Sequence, residues 1–271
     1  MAGLWKALFA RSALRAGQDG GGEIADPAQL DWRKAETLPL FYGLDAAERT
    51  ALHALAMQLL ADKTLTPVAG ARLDGMACAA IALQAALPIL RLGYSAYQGW
   101  REIVLYPGEF VPDREVIDDF GIVHRVRQPL SGEAWEGGPV VLSLEDVAAS
   151  GHCEGYNVVI HEFAHKLDMR NGAVDGLPVL HSGMSVETWA GEFSAAYADF
   201  CRRVDAEENT SIDPYASESP AEFFAVLSEY FFEAPDILIE SYPSIYDQMR
   251  QYYRQDPLSR LMPLLQGMET R

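Results

Sequence analysis

His161-Glu162-Phe163-Ala164-His165 sets two imidazoles four residues apart, with a glutamate beside the first. Residues at i and i+4 share one face of an α-helix, so both rings can grip one ion only if 156–170 is helical. The neighbouring residues agree with a helix. Val159, Ile160, Phe163, Ala164 and Leu167 make an apolar stripe, while His161, His165 and Asp168 fall on another face at the i, i+4, i+7 spacing. Asn171-Gly172 supplies a C-terminal stop. The fold must therefore bury one side of this helix, bring a third ligand to the other, and leave a position open for water, as a catalytic zinc requires.

A third histidine in the pattern HExxHxxGxxH would need glycine at 168 and histidine at 171. The chain has Asp168 and Asn171, which excludes that subclass. The favoured third ligand is then a downstream glutamate on another helix. The segment SPAEFFAVLSEYFFE at 219–233 offers Glu222, Glu229 and Glu233 on one helical face, beside a buried stripe of Phe223, Phe224, Leu227, Tyr230 and Phe231. Spacing does not choose among the three, and Glu222 and Glu229 stand level. Glu222 also has a purely structural reading, because Ser219-Pro220-Ala221-Glu222 matches a capping box with proline at the first helical position. His53, His124, His152 and His181 have no partner at ligand spacing; His181, in the loop after the motif helix, is the reserve ligand.

The chain of 271 residues, 49% hydrophobic, can bury a sizeable core. Asp45 and Glu48 form a capping box opening a helix to about Leu60. Leu73 to Ala86 is apolar all round, hence a central buried helix with Cys78 in the core, and Pro88 ends it. Arg101–Tyr106, Ile122–Val126 and Val140–Leu144 read as short strands. Helical periodicity returns at 156–170, 186–204, 219–233 and 243–254. Helices, then strands, then helices, without strict βαβ alternation, predict a mostly helical α+β fold with a small β-sheet in the middle third. Residues 1–24 read as an N-terminal basic segment, with Leu4, Trp5, Leu8 and Phe9 on one side of a short amphipathic helix, followed by the Gly-rich linker GQDGGGE. Residues 25–271 read as one domain.

Asp and Glu number 39 against 21 Lys and Arg, a formal net charge of -18. Such a balance repels phosphate backbones, so direct nucleic-acid binding is not expected, whereas a basic protein partner would be attracted. No apolar stretch reaches the ~20 residues of a membrane span, and no stable membrane association is expected. Three cysteines without CxxC spacing exclude both a disulfide framework and a four-cysteine zinc site, which points to a reducing, cytoplasmic setting.

HEFAHKLDMRNG at 161–172 and PAEFFAVLSEYFFEAPD at 220–236 resemble the Mlc titration factor A family of zinc-dependent peptidases. GWREIVLYPGEF at 99–110 and QAALPILRLG at 84–93 resemble it too, and the likeness runs from about residue 35 to QDPLSRL at 255–261. The family is similar around its zinc site to the catalytic domain of anthrax lethal factor. The resemblance implies a gluzincin-type site with one zinc per chain on His161, His165 and Glu222, and makes Glu229 a supporting residue. It implies Glu162 as general base and Tyr215, seven residues before Glu222, as donor to the developing oxyanion. Asp168 is a candidate acceptor for a ligand imidazole. The family implies aminopeptidase activity on short peptides, together with binding and titration of the glucose repressor Mlc. The competing reading is a non-catalytic, repressor-sequestering protein with a structural or vestigial zinc site. Glu162 argues against that reading, since a purely structural site needs no base.

Overall fold

The computed structural model describes residues 30–109, 114–117, 123–126, 132–135 and 137–269; the basic segment and Gly-rich linker expected before residue 25 lie outside them. The element order is α1 (Trp32–Ala35), α2 (Ala46–Asp62), β1 (Thr64–Pro67), α3 (Gly75–Ala86), β2 (Glu102–Tyr106), β3 (Arg114–Ile117), β4 (Val123–Val126), β5 (Gly132–Ala134), β6 (Val140–Ser143), α4 (Leu144–Ala149) and α5 (Val158–Asp168). Then come α6 (Val186–Asp205), α7 (Pro220–Glu233), α8 (Pro235–Ser241), α9 (Pro243–Tyr253) and α10 (Pro257–Glu269). Helices dominate, and the α+β reading holds.

The starts of the long helices follow local chemistry. Asp45 caps α2 through a full capping box, its side chain accepting from the Glu48 amide while Glu48 returns to the Asp45 amide. Asp74 caps α3, whose residues from Cys78 to Ala86 are all buried. Proline opens α7, α8, α9 and α10, where the missing N–H costs nothing.

Four strands form one sheet in the order β1-β2-β6-β5. β1, β2 and β6 run parallel, and β5 closes the edge antiparallel to β6. β3 and β4 make a separate antiparallel pair. Ile103 lies opposite Val140 and Leu105 opposite Leu142, and all four side chains are fully buried. Helix α5 packs on the sheet at β5 and β6, on α3, and most extensively on α7. Its apolar stripe of Val159, Ile160, Phe163, Ala164 and Leu167 has no solvent exposure. Phe163 meets Tyr97 and Trp100 edge-on, with ring centres 5.0 and 5.5 Å away. The motif helix is therefore held between the sheet and α7.

Candidate metal centre

α5 begins at Asn157, whose Oδ1 accepts from the Ile160 amide at 2.9 Å. The same residue ties the helix to its neighbours. Its Nδ2 donates to Gln84 of α3 and to Glu233 of α7, both at 2.6 Å, and its amide donates to Glu229 Oε2 at 2.5 Å. The first turn of the motif helix is thus fixed before any histidine is placed.

His161 and His165 converge on Glu222 from the first turn of α7. Their Nε2 atoms lie 3.2 Å apart, and they stand 3.0 and 3.3 Å from Glu222 Oε2. These three residues are the group, among the described ones, that could hold a metal ion. Two imidazole nitrogens and a carboxylate oxygen turned on one point suit a first-row divalent cation such as zinc. The capping-box reading of Glu222 is half met: Ser219 Oγ accepts from the Glu222 amide at 3.1 Å, but the Glu222 carboxylate turns to the histidines.

The two other glutamates on this face of α7 also find partners on or before α5. Glu229 Oε1 is 2.7 Å from His161 Nδ1, a contact that would keep the proton on Nδ1 and leave Nε2 open to a metal ion. Glu233 accepts from the amides of Gly151 and Cys153 and from Asn157 Nδ2. Burial works against charge at His161 and Glu222, yet their mutual hydrogen bond, with those to Glu229 and His165, overcomes it. His161 is raised well above the ordinary histidine range and Glu222 held well below the carboxylate range. At Glu229 burial wins, and the carboxyl is raised despite His161 beside it.

Glu162 points into the site from α5 and is only 4% exposed. Burial pushes its carboxyl up to about 8, with Glu222 and Glu133 adding to the rise and His161 opposing it. Tyr215 sits in a 3-10 turn, Pro214–Ser217, whose first amides are capped by Asp213; the Tyr215 ring centre lies 6.1 Å from that of His161. Two cavities meet here, of about 230 and 460 Å³, and His161, Glu162, Tyr215 and Gly132 line both. Met169, Val174 and Ala221 add an apolar wall to the first; Glu154, Asp213 and Tyr230 line the second.

Two expectations are corrected. Asp168 does not hold a ligand imidazole: its Oδ2 accepts from the Gly176 amide at 2.9 Å, and Glu229 takes the imidazole role at His161. His181 is not a reserve ligand, because its Nε2 donates to the Tyr252 carbonyl at 2.7 Å, on α9. β6 lies between β2 and β5 and so offers no free edge to a peptide. The edges are β1 and β5, and the one beside the site is β5, which sequence reasoning missed: Gly132-Glu133-Ala134 is too short to show an alternating pattern.

Comparison with known proteins agrees with this geometry. The family described as glucose-regulated metallo-peptidase M90 matches residues 24–254. Mlc titration factor A of Escherichia coli strain 55989 is 42% identical over 242 residues, covering 88% of this chain and 91% of the relative. The protein of that name from Serratia proteamaculans strain 568 is 43% identical over 236 residues, covering 86% and 90%. That from Salmonella arizonae is 42% identical over 242 residues, covering 88% and 96%.

Proposed function

The chain belongs to the glucose-regulated metallopeptidase M90 family, and from that membership we propose that it is a zinc-dependent aminopeptidase acting on short peptides. The observation that carries the reading is the meeting of His161 Nε2, His165 Nε2 and Glu222 Oε2 beside the buried carboxylate of Glu162. His161, His165 and Glu222 would hold one zinc. When bound, the ion supplies the Lewis acidity that makes a water acidic near neutral pH and polarises a carbonyl. Glu162 takes the proton from the attacking water and delivers it to the departing amine. Tyr215, which lines both cavities, donates its hydroxyl to the oxygen on which negative charge develops. An extended peptide lies along the outer edge of β5.

Metal analysis of the purified protein, together with a panel of fluorogenic amino-acid amides and short peptides, tests the reading. One zinc per chain and hydrolysis from the amino end are expected. His165→Ala should lose both zinc and turnover. Glu162→Gln should keep zinc while turnover drops by ~10²–10⁴-fold, the usual cost of losing a general base. A zinc-loaded wild type inert on every substrate would overturn the proposal.

The relatives' name supports a second role, binding of an Mlc-type repressor. The net charge of -18 suits attraction to a basic DNA-binding protein in the cytoplasm. The repressor should bind Glu162→Gln within a few fold of wild type, with association slowing as salt rises. Loss of binding in that variant would mean that recognition runs through the cleft.

No helix among the described residues is long and apolar enough to cross a membrane.

A further inference from the structure

Lys166 follows His165 directly and lies one turn beyond Glu162 on α5, and it is only 4% exposed. A buried ammonium is costly unless its protons are matched. Its Nζ donates to two main-chain carbonyls, Trp135 at 2.5 Å and Gly138 at 2.9 Å, and stands 4.9 Å over the Trp100 ring. Those carbonyls belong to the turn joining β5 to β6, which is itself closed by the Trp135 amide on Pro139 and the Gly138 amide on Trp135. The lysine therefore pins this turn to the helix that carries the histidines.

A close approach lies at the other end of β5. A Cβ at Gly132 would collide with Glu162 Oε1 and come within 2.7 Å of its Cγ and Cδ, so glycine lets the strand lie this close to the base. β5 thus lies against α5 at both ends, in close packing on Glu162 at Gly132 and through the hydrogen bonds of Lys166 at the turn after Ala134. β5 is one of the two edge strands of the sheet, the one beside the site, and among the described residues its only partner strand is β6. A peptide added to that edge takes its register from the strand it pairs with. The height of β5 above the ligand atoms then decides which peptide bond stands beside Glu162.

We propose that Lys166 is a positioning residue for the substrate: by anchoring the β5–β6 turn to α5 it sets the register in which an extended peptide meets the metal centre. This rests on the peptidase reading above. The role concerns main-chain pairing, so its weight grows with the number of substrate residues that lie along β5. An amino-acid amide makes little use of the strand, whereas a five-residue peptide uses all of it.

The test compares wild type, Lys166→Met and Lys166→Arg, each loaded with zinc. In Lys166→Met the ratio of KM for a five-residue peptide to KM for an amino-acid amide should rise about tenfold, the scale of losing a charge-assisted hydrogen bond. Mass analysis should show the five-residue peptide cut at additional positions. Lys166→Arg keeps a buried donor and should recover much of the ratio. Amide hydrogen exchange should quicken across 132–143 in Lys166→Met with little change in α7, a readout that needs no turnover. Equal losses on both substrates, an unchanged cleavage position, or unaltered exchange at 132–143 would each overturn the proposal. A wild type inert on both substrates would overturn the peptidase reading, and the register role with it, whereas the exchange result still decides whether the clamp exists.

Discussion

His161 stands between two carboxylates of the same helix: Glu222 Oε2 is 3.0 Å from its Nε2, and Glu229 Oε1 is 2.7 Å from its Nδ1. The two glutamates are two turns apart on α7, and the imidazole spans the gap. One ring could thereby take a metal on one nitrogen while the other is held by a hydrogen bond.

Replacing Glu229 should therefore act on metal affinity before it acts on chemistry. Glu229→Gln is expected to weaken zinc binding by ~10–100-fold, the range found when a partner behind a ligand imidazole is removed. At saturating zinc, turnover should return most of the way to wild type. Competition with a chromogenic chelator, followed by assay at high zinc, measures both. Unchanged affinity would mean that the 2.7 Å contact does not orient the ring.

Tyr215 presents the opposite pattern. It borders both cavities beside His161 and Glu162. Tyr215→Phe should retain zinc and KM while kcat falls by ~10²–10³-fold, as when one oxyanion donor is lost. A rise in KM with kcat intact would make it a residue for holding substrate.

Glu233 gives a pH signature remote from the ligand atoms. Burial pushes its carboxyl up to about 7, with Glu229 adding to the rise, against the pull of its three N–H donors at Gly151, Cys153 and Asn157. A carboxyl raised on folding contributes stability that is complete below the unfolded value near 4.5 and is lost as pH climbs through about 7. At about 1.4 kcal/mol per pH unit, the loss is on the order of 3 kcal/mol. Urea unfolding of chelator-treated protein at pH 5 and pH 8 should show the drop. In Glu233→Gln the drop should shrink, while stability at pH 5 falls because an amide nitrogen faces a backbone donor. An equal drop in both proteins would assign the pH dependence to other groups, such as His161.

Much of the site was legible because helical spacing carries it. The i, i+4 histidines and the acidic face of 219–233 are one-dimensional patterns, and both helices form where the periodicity puts them. The choice between Glu222 and Glu229 was not legible from spacing, for a physical reason: both lie on the face turned to α5, and both reach His161, at opposite nitrogens. What escaped is made of main chain. β5 has three residues, its contact with Glu162 depends on the absence of a side chain at Gly132, and Lys166 acts through carbonyls that every residue possesses. The short helices α4 and α8 escaped for a similar reason, being too brief to show a period.

His161 and Glu222 are 61 residues apart in sequence, and α6 with its flanking loops lies between them. An ion gripped by both is a removable cross-link as well as a reagent. Closing a loop of that length removes freedom from the unfolded chain worth about 4 kcal/mol by chain-entropy reckoning. Metal supply would then govern two quantities together: how fast a peptide is cut, and how readily residues 172–219 open to attack by other proteases.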